Sequence, residues 1–417
     1  GVARVVVREP DGPPWAIDLT GFPGSIEEDL ARRDFTIDAM ALPWQHWLSP
    51  QWRELVLDPF GGREDLSRRQ VRALNLHVFH DDPGRLLRAV RLAARLQFRL
   101  EPETATLIRG AAAQIGQVSA ERVRDEFLGI LSLDGVRGHL EVMDRLDLLC
   151  RIIPELAPAK GVSQPKEHYW DVWGHLLHTV EAAEGVTKGH QNSAIFTCVP
   201  WTAETEAYFN QEVSDGHTRR TLLKLAGLLH DIAKPQTKGP DATGRIRFLG
   251  HSELGATMAA GLLARLRLSS RGIGLVTRMV EQHLRPMQLS QGVELPTSRA
   301  IYRYFRDLQD VAIDTLYLSL ADHLAARGPH LAMDDWVSHA RIMSHVLQVG
   351  TQPPSPAGPE RLLTGHDLME HFNLSPGPQI GRLLETVNEA RAAGEITTQE
   401  EALLLVAEFL NSPTGGE

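Results

Sequence analysis

The spacing of apolar residues changes once along this chain. Near the start, ARVVVRE and WAIDLTG alternate apolar and polar positions and predict two short strands, with Asp11-Gly12-Pro13 as the turn between them. Asp29 is placed to cap a helix after them. From Pro59 onward the helical period takes over. Gly61-Gly62 predicts a tight turn, and Pro83 suits the first turn of a long helix running through Phe98. Glu121–Leu133 and Val136–Cys150 both carry helical apolar spacing, and Pro154, Pro158 and Gly161 mark a boundary. A second helical region runs from about Tyr169 to Ala326. Within it, the polar stretch from Thr187 to about Arg219, broken by Gly189, Pro200 and Gly216, reads as a long loop or insertion. PPSPAGP, inside Thr351–Pro359, cannot be helical. The tail, Leu362–Leu410, holds GPQIG, a helix and the amphipathic stretch TTQEEALLLVAEFL.

Length and composition narrow this picture only slightly. A chain of 417 residues can hold roughly two to four domains. The net charge of −10 excludes a uniformly basic surface, so RNA binding would need a local basic stripe. Two cysteines, Cys150 and Cys198, are too few for a disulfide framework or a Cys-type zinc site. No apolar run approaches the roughly 20 residues that span a bilayer, and the first residues lack a signal-peptide layout, so the cytoplasm is the expected compartment.

Such a stripe exists. Arginines fall at 85, 88, 91, 95 and 99, within an arc of about 120° at about 100° per residue, with Leu87, Val90, Ala93 and Ala94 opposite. Spacing alone allows either a solvated basic face or a surface for phosphates and bases, tasks that suit the planar guanidinium fork. Arg122 and Arg124, in ERVRDEF, allow either RNA contact or a charge-paired surface helix.

A second constellation is independent of the first. His175 lies in DVWGHLLHTV, His230-Asp231 closes the apolar helix TLLKLAGLLHD, and His251, His283 and Asp322 follow. An adjacent His-Asp pair ending an apolar helix puts two unlike metal donors at one helix end inside a bundle. Imidazole and carboxylate suit Mn, Fe, Ni, Zn or Mg with weak discrimination. Lys234 follows the pair and could reach a substrate phosphate or simply be a solvated helix-end lysine. His178 competes with His175 as the first donor, and a metal-free scaffold is the alternative for the whole set.

Three phrases in fixed order carry a resemblance: DLARRDFTIDAMA (Asp29–Ala41), DPFGGREDL (Asp58–Leu66) and DDPGRLLRAVRLAARLQF (Asp81–Phe98). Together they resemble the class II CCA-adding tRNA nucleotidyltransferases and their poly(A) polymerase relatives. The resemblance implies that Arg32, Arg33, Asp34 and Asp38 hold the triphosphate and ribose, although Asn is commoner than Asp at position 38. It implies that Asp82 and Arg85 read the Watson–Crick edge of CTP or ATP, with Arg88 and Arg91 beside them. Arg95, Arg122 and Arg124 would face the tRNA. The order His175, His230-Asp231, His251, His283, Asp322 resembles the HD-type metal phosphohydrolases, which are known appendages of this family. There Asp231 would bridge two cations and be catalytic.

The family's Gly-Gly loop and Asp-x-Asp pair, which hold Mg2+ for nucleotidyl transfer, have no counterpart in the roughly 28 residues before Asp29. The chain is therefore expected to begin inside the catalytic domain, through truncation or a separately encoded first half. Asp18 is the weak remaining candidate for a catalytic carboxylate.

The expected architecture is mostly α. It comprises a remnant of an α/β nucleotidyltransferase head (1–42), a helical neck and body (43–162), an all-α HD domain with an insertion (163–350; insertion 187–219) and a helical tail (351–417). Expected partners are a tRNA 3′ end, CTP and ATP, with no membrane and no obligate protein partner. Two rivals stand beside it: an HD phosphohydrolase acting on nucleotides or RNA ends, and a non-catalytic tRNA-binding module.

Overall fold

The computed structural model describes residues 2–7, 15–22, 24–189, 193–289, 295–351 and 362–411. It shows the mostly α architecture expected from the sequence, with four two-stranded sheets among the described residues. The chain divides into two units: residues 1–133 with 138–154, and residues 134–137 with 155–417.

In the first unit, Val2–Val7 and Trp15–Thr20 pair antiparallel, as the alternation predicted. The turn expected at Asp11-Gly12-Pro13 lies outside the described residues. The cap expected of Asp29 belongs instead to Ser25. Its hydroxyl accepts from the Glu28 amide and Glu28 reaches back, closing a capping box ahead of Ile26–Leu30. Asp29 sits inside that helix and pairs with Arg33 at 2.7 Å.

The Gly61-Gly62 turn is as predicted and both glycines are needed. Gly61 has φ +75°, and a Cβ on Gly62 would lie 2.3 Å from the Thr36 carbonyl. This close approach seats the helix Gly62–Ser67 against the first phrase. Asp65, fully buried, accepts from Thr36, Gln70 and Arg72, which tie the first two phrases together.

The long basic helix runs from Arg85 to Leu96, shorter than expected at both ends. Pro83 precedes it. Gln97 takes φ +55° and Phe98 donates to the Ala93 carbonyl at 2.8 Å, a left-handed C-terminal stop. Arg99 therefore leaves the helical stripe and enters a strand paired parallel with Gln70–Val71. Ala120–Leu131 packs against this helix. The continuous helix expected over Val136–Cys150 breaks at Asp147 (φ +61°) into Val136–Arg145 and Leu149–Ile152.

The second unit is built on three mutually packed helices, Val172–Val186, Arg219–Leu229 and Ala312–Arg327. The hairpin of helices His251–Arg265 and Ser270–Gln282 packs on them. The stretch read as a long loop is not one. Thr202 caps a helix, Ala203–Asn210, and a short hairpin pairs Glu212–Ser214 with His217–Thr218. Its scattered aromatics are the reason: Phe209 is fully buried, between Trp201 and Tyr317. Residues 190–192 lie outside the described residues, as does the PPSPAGP segment.

The tail has its own apolar cluster, centred on Leu368, Leu383, Val387 and Val406. It docks through Glu389, which receives Arg303 at 2.5 Å and Arg306 at 3.1 Å. GPQIG opens the helix Pro378–Ala392. Among the described residues no helix is long and apolar enough to cross a membrane.

Candidate functional site

The first unit draws phrases one and three into a single charged cluster. Arg88, projecting from the helix Arg85–Leu96, pairs with Asp34 at 2.7 Å and approaches Asp38 at 3.9 Å. Burial, and then the nearby Asp34 carboxylate, push the Asp38 carboxyl up. Arg85 donates to the Arg32 carbonyl at 3.1 Å and to the Val78 carbonyl at 3.3 Å, and its Nε lies 3.9 Å from Asp82. Arg32 and Arg33 are exposed beside them. Phe35 and Ile37 are buried core residues, and that packing presents Asp34 and Asp38 toward the helix.

Asp82 is held more firmly than sequence reasoning suggested. Arg122 grips both its oxygens at 2.7 Å, and the Gly84 amide donates to Oδ1 at 3.0 Å. Arg91 is clasped in turn by Glu126, at 2.5 and 3.1 Å. Arg95 is exposed, and Arg124 pairs with Asp125 at 2.8 Å. Asp18 stands apart. It lies on an exposed strand with Arg4 across from it at 2.6 and 2.7 Å, and among the described residues no ion pair links it to the Asp34–Arg88 cluster.

The second unit places all six predicted donors together. His230 caps the C-terminus of Arg219–Leu229, His283 that of Ser270–Gln282, and His251 opens His251–Arg265. His175 projects from Val172–Val186 and Asp322 from Ala312–Arg327. Asp231 stands at the centre and is almost wholly buried. Its Oδ2 lies 3.2 Å from both His175 and His230. Its Oδ1 lies 3.2 Å from His251 and 3.7 Å from His283. Asp322 adds an oxygen 3.1 Å from His175 and 3.7 Å from His230. Two donor groups result, His175-His230-Asp231 and Asp231-His251-His283, sharing one carboxylate.

The donor chemistry fits divalent cations. Nδ1 of His230, His251 and His283 faces the carbonyls of Gly227, Phe248 and Val280 at 2.9, 2.6 and 2.7 Å. A proton on each Nδ1 leaves the Nε2 lone pair aimed inward. Asp231 Oδ1 is buried without a hydrogen-bond partner, facing those lone pairs. Lone pairs converging on an orphaned carboxylate oxygen are costly unless a cation lies among them. Burial opposes a charge on His230, but Asp231 and Asp322 outweigh it and push the imidazole up to about 10, so a cation binding there displaces the Nε2 proton and frees that lone pair.

His175, rather than His178, reaches this centre. His178 stacks on Trp170 and faces Glu181 at 3.2 Å. Lys234 is buried, with its ammonium 2.6 Å from Asp231 and 2.7 Å from the Gln164 side chain. Gln164 and His168 are the residues that sequence reading missed. His168 sits edge-on to His175 at 5.2 Å and within 3.5 Å of Lys234. They belong to an irregular segment with no periodic pattern, so only their polarity, eleven and seven residues before His175, signalled them. A cleft of about 440 Å³ opens beside them, between Ser163–Glu167 and Arg245-Ile246.

Comparison with known proteins shows the family. Residues 6–72 match the "Poly A polymerase head domain", 97–160 the "Probable RNA and SrmB- binding site of polymerase A", 172–327 the "HD domain" and 360–407 "tRNA nucleotidyltransferase domain 2". An A-adding tRNA nucleotidyltransferase of Deinococcus radiodurans is 35% identical over 95% of this chain and 82% of its own length. A CC-adding tRNA nucleotidyltransferase of Thermus thermophilus is 32% identical over 96% and 80%. The fold is shared with a Thermotoga maritima CCA-adding enzyme solved in complex with tRNA (TM-score 0.55, 22% identity, 93% of this chain and 74% of that one). By these matches the chain belongs to the tRNA nucleotidyltransferase and poly(A) polymerase family, in the form that carries an HD domain.

Proposed function

We propose that this protein extends tRNA 3′ ends with C, A or both, from CTP and ATP with release of pyrophosphate, in the cytoplasm. The observation that carries this reading is the convergence of Asp34, Asp38, Arg88, Asp82 and Arg85 from two phrases 50 residues apart. In it, Asp82 accepts from the exocyclic amine of the incoming base while Arg85 donates to the ring acceptor. Arg88, Arg32 and Arg33 supply positive charge for the triphosphate, and Asp38 accepts from ribose. Exposed Arg95 lies on the same helix for RNA phosphate. Two relatives carry the names A-adding and CC-adding, which support tRNA as the acceptor.

Mg2+ would align the 3′ hydroxyl and neutralise the triphosphate in such a transfer. Asp18, the candidate carboxylate, does not fit that task. It is exposed and bound to Arg4, so no step is assigned to it.

The second unit supports a further activity, a metal-dependent phosphohydrolase. His175, His230, Asp231 and Asp322 would hold one cation, and Asp231, His251 and His283 another, drawn from Mn, Ni, Fe, Zn or Mg. Cations there would supply Lewis-acid activation of a phosphate ester. Lys234 is the chain's own contribution: its buried ammonium, beside Asp231, can pair with a substrate phosphate.

The test is incorporation of labelled CMP and AMP by the full-length gene product on tRNA transcripts that end before, within or just short of CCA. Template-independent addition that stops within the CCA sequence is the expected result. Phosphate release with no incorporation would favour the hydrolase alone. Salt-sensitive tRNA binding with neither activity would leave a binding module. Asp82→Ala should weaken CTP and ATP binding roughly 10- to 100-fold by titration calorimetry, with helix content unchanged.

A further inference from the structure

An arginine assigned above to RNA holds the base-reading carboxylate instead. Arg122 lies on Ala120–Leu131, a helix away from the base-reading phrase, yet its two Nη atoms each meet one oxygen of Asp82 at 2.7 Å. A carboxylate offers about four acceptor sites, two on each oxygen. Arg122 takes one on each. The Gly84 amide takes the second on Oδ1 at 3.0 Å. One site remains, on Oδ2, and Oδ2 is the oxygen 3.9 Å from Arg85 Nε.

A second observation shows that the fold makes room for this grip. Gly84 is buried with φ −61°, a conformation any residue adopts, so its backbone does not call for glycine. Space does: a Cβ there would lie 2.3 Å from Arg122 Cζ and 2.6 Å from Nε. The missing side chain is the passage through which Arg122 reaches Asp82. The neighbouring Arg91–Glu126 clasp joins Ala120–Leu131 to Arg85–Leu96 independently, so Arg122 is not required to hold those two helices together.

We propose that Arg122 is a positioning residue for base selection. It fixes Asp82 so that its single open acceptor site stands beside the Arg85 donor, which admits bases carrying an exocyclic amine next to a ring acceptor and rejects those carrying a carbonyl there. Cytosine and adenine satisfy the pair; uracil and guanine set an acceptor against an acceptor. The guanidinium also holds the Asp82 carboxyl below the usual range, which keeps it an acceptor. Freed from Arg122, the carboxylate could rotate and, once protonated, donate to a carbonyl.

This rests on the nucleotide-binding reading above, and equilibrium dialysis of the full-length protein against CTP, ATP, UTP and GTP separates the two. Wild type should favour CTP and ATP over UTP and GTP by roughly 10-fold or more. Arg122→Gln removes the grip, and Gly84→Ala pushes Arg122 aside without deleting it. Both should shrink that preference to roughly 3-fold or less, the first through lost chemistry and the second through lost space. A merely structural role would weaken all four nucleotides alike and leave the ratio intact, and that result overturns the proposal while sparing the reading. A wild type that binds no nucleotide, or binds all four equally, overturns both.

Discussion

Asp231→Ala should strip the second unit of both proposed cations at once. Its two oxygens face different histidine pairs, His175 with His230 and His251 with His283, so one substitution removes a donor from each group. His251→Ala removes a donor from one group only. Metal analysis after dialysis against Mn2+ or Ni2+ should give about two ions per wild-type chain, about one for His251→Ala and none for Asp231→Ala. Affinity should fall by more than the roughly 10- to 100-fold that outer-sphere partners contribute, since a direct donor is lost. Phosphate release from a model phosphomonoester should vanish with the metal. Lys234→Ala supplies the contrast: it keeps the ions and raises KM. If Asp231→Ala retains one ion, the shared-carboxylate arrangement is wrong.

The two sites were legible in the sequence to different depths. The six HD-type donors are short-range signals. His230, Asp231, His251 and His283 end or open helices, while His175 and Asp322 project from within theirs, so predicting the helices predicts much of where the donors gather. The nucleotide cluster was legible as residues but not as bonds. Asp82 and Arg122 are 40 positions apart, and nothing in local periodicity says that one will seize the other. Arg91 likewise reads as one of a basic row, while Glu126 claims it. Arg99 fell off that row because Gln97 adopts a left-handed stop, which a helical wheel cannot foresee.

The stretch from Thr187 to Arg219 misled for a related reason. Its glycines and polar residues gave loop statistics. Three aromatics from this stretch and its neighbours, Trp201, Phe209 and Tyr317, supply the burial that orders it. Gln164 and His168 show the converse. Their importance comes from the irregular path of a segment that returns to the metal donors, and irregular paths have no period to read.

Arg219→Ala should be the most damaging single change to the stability of the second unit. Arg219 is buried at the start of its helix. It donates to the buried Asp314 at 2.7 Å, pairs with Asp310 and lies over the Tyr208 ring at 4.4 Å. Tyr208 donates to the same Asp314 oxygen at 2.5 Å, so one guanidinium joins the helix Ala203–Asn210 to Ala312–Arg327. Removing one partner of a buried pair leaves the other uncompensated and typically costs about 3–5 kcal/mol. The effect carries a pH signature. Burial already pushes the Asp314 carboxyl up to about 6, despite Arg219. Without the guanidinium its folded-state value rises further. A carboxyl raised in the folded state loses stability as pH rises toward that folded value. Below about pH 6 Asp314 is protonated in both proteins and the ionisation penalty drops out of the difference. Above it, wild type has levelled off while the variant continues to lose stability. Urea midpoints of the two proteins should therefore diverge as pH rises from 5 to 8. Replacing both partners, Arg219→Met with Asp314→Leu, should recover most of the loss, because no buried charge is left unpaired. A deficit under about 1 kcal/mol, or one independent of pH, would mean that Asp314 is served by solvent or by Tyr208 alone and that the guanidinium is not what holds this corner of the fold.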